Sequence, residues 1–354
     1  MQSARVAEFD LIDLIRARCA HARADVRLGI GDDAALLTVP PGQVLAVSTD
    51  TLVDGIHFPK DTAPADLGWK SLAVNLSDLA AMGATPAWAT LALTLPQADP
   101  GWVGEFADGF AALAHEHDVA LVGGDTTQGP LSITVTVHGF VREDAALRRS
   151  AAQIGDIVCV TGTLGDAAAG LRMLRDSGFG TRNSEKQALS PDTLYRGGGG
   201  MGEGAPLALV PELAALIARL NRPTPRIAQG LILASRAHAC IDVSDGLVAD
   251  LGHICRASGV GAEVDADALP TSPVLAARFG RDDRRALQLA GGDDYELCFT
   301  VAESAIEKLL ADLARSGCAA TRVGRIVAGA GARVHDASGK VIDTPRAGWQ
   351  HFTA

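Results

Sequence analysis

The sequence has no C-x-x-C pair and no cysteine–histidine spacing of the kind that holds zinc. Its six cysteines (Cys19, Cys159, Cys240, Cys255, Cys298 and Cys318) are scattered, several in strand-like company such as Ile157-Val158-Cys159-Val160 and Leu297-Cys298-Phe299. That usage excludes a disulfide framework and fits small core hydrophobes in a reducing compartment, the cytoplasm. A basic excess is also missing. With a net charge of −11, the chain lacks the basic face that counterion release requires, which argues against nucleic acid as a partner. Met1–Ala20 mixes arginines with acids and has no apolar leader core. The charge-free run from Leu79 to Ala98 contains Gly83, Pro86, Pro96 and Gln97. It therefore reads as a helix end, a turn and a buried strand rather than a membrane span. Walker A chemistry is absent, since the Gly339-Lys340 pair is followed by Val341.

What is present is an ordinary globular composition, 354 residues with 47% hydrophobic and 21% charged, enough for two domains of medium size. Strand and helix patterns alternate. Strands are expected at Gln43–Thr49, Trp88–Leu95, Val119–Val122 and Ser132–Val141, and helices at Leu67–Met82, capped by Asp66, and from Pro100 to about His117. After the polar stretch Arg142–Gly155, a second unit shows strands at Asp156–Thr161, Ala239–Val243, Glu296–Val301 and Thr321–Val327. Its helices are expected at Asp166–Arg175, Leu247–Ser258 and Ser304–Ser316. The expected fold class is α/β (of the α+β type), with domains at 1–147 and 148–354. The glycine-rich stretch 176–206 formally matches G-x-G-x-x-G at Gly197–Gly202, but no strand leads into it. A flexible insertion is the better reading.

Six aspartate motifs stand among glycine and hydroxyl residues: Gly29-Ile30-Gly31-Asp32-Asp33, Ser48-Thr49-Asp50-Thr51, Asn75-Leu76-Ser77-Asp78, Gly123-Gly124-Asp125-Thr126-Thr127, Ile241-Asp242-Val243-Ser244-Asp245-Gly246 and Gly291-Gly292-Asp293-Asp294-Tyr295-Glu296. Asp50, Asp125 and the Asp242/Asp245 pair are expected just after strands, where open α/β sheets bind ligands. Asp78 shares a helical polar stripe with Ser71 and Asn75, for which a solvated face is the plain alternative. Each aspartate alone fits turn or cap chemistry. Converging carboxylates would need cations among them, and magnesium, shared with substrate phosphates, is the economical choice.

These motifs, in this order, resemble the bacterial thiamine-monophosphate kinases, above all through Ala73-Val74-Asn75-Leu76-Ser77-Asp78-Leu79-Ala80-Ala81-Met82-Gly83-Ala84. The resemblance covers nearly the whole chain outside the insertion. It implies the aminoimidazole-ribonucleotide-synthetase-like fold, two α/β domains with the N-terminal one pairing in a homodimer. It further implies that ATP and thiamine monophosphate are the substrates and that several Mg2+ ions serve as cofactors. Carried over, Asp33, Ser48, Thr49, Asp50, Asp78, Asp125, Asp242 and Asp245 would be metal ligands. Gly124, Asp125, Arg149 and Ser244 would contact ATP, and His57, Asp293 and Trp349 the thiamine phosphate. The family often has glutamate at the position of Asp293 and tyrosine or phenylalanine at that of Trp349; both changes keep the chemical type. The implied reaction is in-line attack by a phosphate oxygen on the γ-phosphorus of ATP. That nucleophile is already an anion, so no general base or covalent catalytic residue is expected. An ATP-dependent synthetase of the same superfamily and a metal-storing protein remain open at this stage; Cys19, in a charged helical stretch, argues against a selenophosphate synthetase.

Overall fold

Between Val44 and Val53, and again between Ser132 and Val141, the chain alternates side chains so that two ten-residue strands pair antiparallel from end to end. They belong to the first of two units in a computed structural model that describes residues 7–176 and 211–343. The described part of this unit runs to Leu79 and resumes over Thr85–Arg142. Its elements in chain order are α1 (Glu8–Arg18), β1 (Val26–Leu28), β2 (Leu36–Leu37), β3 (Val44–Val53), α2 (Pro64–Ala81), β4 (Thr85–Leu95), α3 (Pro100–Glu116), β5 (Ala120–Gln128) and β6 (Ser132–Val141).

The sheet has the order β3-β6-β4-β5. Only β4 and β5 run parallel, joined through α3. One face carries Ile133, Val135 and Val137 of β6 with Leu91 and Leu93 of β4, all at most 4% exposed. Leu79 of α2 lies against this face at Gly139. Helices α2 and α3 cross closely because Gly68 and Gly109 lack side chains: a Cβ would meet Phe106 O at 2.0 Å or Ala65 O at 1.9 Å. On the opposite face, Val26, Ala35 and Leu37 of the β1–β2 region pack on Trp88, Phe140, Ala120 and Val122.

Two sequence expectations are corrected here. Pro64, with its fixed φ, opens α2, so Asp66 is a buried residue of the first turn and not the cap. Strands β3 and β5 extend beyond Thr49 and Val122, which puts Asp50 and Asp125 inside strands rather than after them.

The second unit comprises Ala80–Ala84 and the described residues from Glu143 onward. Its elements are β7 (Ile157–Thr161), α4 (Asp166–Asp176), α5 (Pro211–Asn221), α6 (Ile227–Leu233), β8 (Ala239–Val243), α7 (Leu247–Ser258), β9 (Gly261–Asp265), α8 (Pro273–Arg278), α9 (Arg281–Ala290), β10 (Glu296–Val301), α10 (Ile306–Arg315), β11 (Ala320–Val327) and β12 (Gly331–His335). The sheet order is β12-β9-β11-β7-β10-β8, antiparallel apart from the β9–β12 pair. Leu247, Leu251, Ile254 and Cys255 of α7 join Val158, Val160, Ile241, Val243 and Cys298 of the sheet in one core. Strand β10 is buried at every residue, as expected of an inner strand covered on both faces.

Candidate active site

In the first unit, residues from α2 stitch the edge strand β3. The Ser48 hydroxyl donates to Asp78 Oδ2 at 2.5 Å, a charge-assisted bond. The Asp50 amide donates to Asn75 Oδ1 at 3.0 Å, and Asn75 Nδ2 donates to Ser71 O at 2.9 Å. Ser71 and Asn75 are 1% and 0% exposed, so the polar stripe of α2 is an internal seam and not a solvated face. Thr49 turns to the other face, where its hydroxyl bonds that of Thr136 at 2.9 Å. His57 accepts the Val53 N–H on Nδ1 at 2.9 Å, which ties the loop after β3.

Asp33 is exposed, its amide bonded to Asp32 Oδ1 at 2.9 Å. Asp125, also exposed, stands on β5 beside Gly124. A side chain at Gly124 would place Cβ 1.9 Å from Leu91 O, with φ at +155, so this close strand approach needs glycine. Strand pairing puts Asp50 in the row Val135, Leu91, Gly124, and Asp125 in the row of Thr51, Thr134 and Ala92. Three strand spacings, about 14 Å, separate β3 from β5. The sheet thus brings Ser48, Asp50 and Asp78 together and leaves Asp125 at its other edge. Among the described residues, no group of three or more histidine, cysteine, aspartate or glutamate side chains is set to hold a metal ion.

The second unit gathers Asp242, Ser244, Asp245 and Asp293. Asp242 lies in β8 at 4% exposure, and Ser244 and Asp245 follow the strand. Asp293 and Tyr295 adopt φ of +68 and +51, the left-handed region that side chains avoid. Main-chain bonds hold them there: Asp293 N–H to Ser244 O and Tyr295 N–H to Val243 O, both 2.9 Å. The Tyr295 hydroxyl donates to Asp293 Oδ1 at 3.1 Å. Arg149 is exposed, and its carbonyl accepts the Ser258 hydroxyl at 2.8 Å. Trp349 and the glycine-rich stretch 177–206 lie outside the described residues.

Several residues that hold this loop were given no role of their own by the sequence reading. Asp294 accepts the Gly165 and Ala167 amides at 2.6 and 3.3 Å, and burial pushes its carboxyl up to about 8. Glu296, fully buried, takes Arg219 at 2.9 Å, Arg226 at 2.5 Å and the Thr161 hydroxyl at 2.7 Å. Asp250 accepts three successive amides, and burial pushes it up to about 7 against their pull. A signal existed for Asp250. Gly246 has no side chain of its own to tie the turn, and a carboxylate in the first turn of α7 can reach back to the amides that precede the helix.

The two units match the family descriptions of the AIR synthase related protein, N-terminal domain over residues 31–141 and C-terminal domain over 153–337. The two domain matches thus define an AIR synthase related architecture. The thiamine-monophosphate kinase of Salmonella typhimurium is 51% identical over 298 residues, 84% of this chain and 83% of that protein. That of Escherichia coli is 45% identical over 345 residues, 98% of each. The chain belongs to the thiamine-monophosphate kinase family. Among solved structures, the thiamine-monophosphate kinase of Stenotrophomonas maltophilia K279a superposes with a TM-score of 0.80 at 52% identity, covering 95% of this chain and 98% of that one. AaThiL complexed with AMPPCP and TMP gives 0.71 at 31% identity, covering 99% and 100%.

Proposed function

We propose that this protein transfers the γ-phosphoryl group of ATP to thiamine monophosphate, giving thiamine diphosphate and ADP. One observation carries the reading: over 99% of its length the chain shares its fold with a relative solved with AMPPCP and TMP. The acceptor oxygen is already anionic, so the chain needs no proton-abstracting residue. Its task is to hold two polyanions in line.

Magnesium fits the residues present. The donors are all hard oxygens, with Ser48 and Asp78 in direct contact at 2.5 Å. Magnesium is held by one or two carboxylates together with substrate phosphates and water, so a preformed protein cage is not required. Asp33, Ser48, Thr49, Asp50, Asp78, Asp125, Asp242 and Asp245 are the proposed ligands for several ions. Bound Mg2+ would neutralise the phosphate oxygens and lower the repulsion between the substrates. In this reading Gly124, Asp125, Arg149 and Ser244 contact ATP. Asp293 offers a carboxylate to the acceptor's fixed positive charge, and His57 and Trp349 complete that side.

A homodimer through the first unit belongs to the same reading. The β3 face away from α2 exposes Leu45 at 40% and Val47 at 55%, beside the threonine ladder Thr49–Thr136 and Thr51–Thr134. An edge strand with such a face is a surface that a second copy would cover. A cytoplasmic location is also proposed, in keeping with the six free, buried thiols; among the described residues no helix is long and apolar enough to cross a membrane.

Product analysis after incubation with ATP, magnesium and thiamine monophosphate tests the reading. Thiamine diphosphate and ADP should form in equal amounts, and γ-labelled ATP without acceptor should leave the protein unlabelled. ATP turnover that needs a different acceptor would overturn the substrate assignment, and a labelled protein would overturn direct transfer.

A further inference from the structure

The turn from β8 into α7 has the shape of an anion cradle. Gly246 precedes the helix with φ at +119, where a Cβ would lie 2.9 Å from the Ala290 backbone. The N–H groups of Ser244, Asp245 and Gly246 all converge on one atom, Asp250 Oδ2, each at 3.1 Å. Successive amides at a helix start are a natural phosphate site, because the N–H groups and the helix dipole both favour negative charge. Here the anion is supplied by the chain itself. Asp250 is 3% exposed and belongs to the first turn of α7, its own N–H donating to Gly246 O at 3.0 Å.

We propose that Asp250 is a positioning residue that stands in for a bound phosphate: it sets the Ser244–Gly246 turn so that Ser244 and Asp245 are presented at the partly exposed end of β8, and it occupies the three amides of that turn so that substrate phosphate does not bind them. This rests on the reading of Ser244 and Asp245 as nucleotide- and metal-side residues. Without the carboxylate, three amides would lose their acceptor at once, each a desolvated donor. The turn would then be free to move, and the Asp293 loop with it, since Ser244 O and Val243 O anchor Asp293 and Tyr295. Substrate phosphates must accordingly be held elsewhere than on these amides.

Amide hydrogen exchange on the full chain reads the cradle directly. The wild-type segment Ser244–Gly246 should exchange slowly. In Asp250→Ala it should exchange at least about tenfold faster, and added sulfate should slow it again by refilling the cradle. Asp250→Asn keeps one oxygen in the same place and should fall between; it serves as well if the alanine variant does not fold. With ATP and thiamine monophosphate, Asp250→Asn should raise the KM for ATP about tenfold, the factor of one cradle bond, with kcat changed far less. Unchanged protection in both variants overturns the cradle. Lost protection with an unchanged KM for ATP overturns the positioning role, as does a lowered melting temperature with no KM change. Failure of the wild-type protein to phosphorylate thiamine monophosphate would fall on the functional reading instead, and the exchange data would still decide whether Asp250 holds the turn.

Discussion

Asp293 and Asp294 are neighbours in sequence with opposite surroundings. The first is partly exposed on a strained turn, and the second is 1% exposed at the start of α4. In sequence they form one acidic motif. Which of them faces solvent depends on the left-handed backbone at Asp293 and on Gly165, more than a hundred residues away, and no local pattern encodes that. The same holds for Ser48 and Asp78, whose contact spans thirty residues. Their motifs were legible, and their pairing was not. Asp294 carries a pH signature. Its folded pKa of about 8 stands above its ordinary value of 3.8, so the folded chain holds this proton more tightly than the unfolded one. The associated stability is full below that ordinary value and is lost as pH rises through about 8. Asp294→Asn cannot ionise, so its melting temperature should fall less than the wild type's between about pH 6 and about pH 9. Asp250 acts in the same direction at about 7, so the slope should shrink without vanishing. An identical slope in the variant would show that Asp294 is charged in the folded protein.

Long periodic elements were legible almost to the residue, as with Ser132–Val141 and Leu247–Ser258. Elements whose ends depend on partners were not. Strand β3 reads as ending at Thr49 because Asp50 is a poor strand former, yet the ladder to β6 and the Asn75 side chain carry it to Val53. Short pieces such as β1 and β2 have too few residues to show a period and exist through their neighbours. Strand β5 makes a sharper point about its two glycines. At Gly123 a Cβ would sit 3.9 Å from Thr90 Cγ2, whereas at Gly124 it would strike Leu91 O. Gly123→Ala should be tolerated. Gly124→Ala must push β5 from β4 and should cost about 1–3 kcal/mol, read as a lower urea midpoint. Equal midpoints would mean that β5 can shift at no cost.

At the scale of the whole molecule, two α/β units were legible from the alternation of strands and helices. The grouping of Ala80–Ala84 with the second unit was not, since Ala80 and Ala81 complete a helix that begins in the first. The proposed homodimer belongs to this scale. Val47→Glu places a charge on the exposed apolar face of β3 without touching Ser48 or Asp78, so sedimentation should report a monomer where the wild type is a dimer. A wild-type monomer, or a variant that still pairs, would move the interface elsewhere. The buried cysteines have a separate consequence. All six thiols are free and shielded, with Cys19 in the first unit and the others in the second. An alkylating reagent can therefore mark each one only while its surroundings open. The natural chain thus carries its own reporters of breathing: the labelling rate of Cys19 set against that of Cys159 or Cys298 measures whether the two halves loosen together or one before the other.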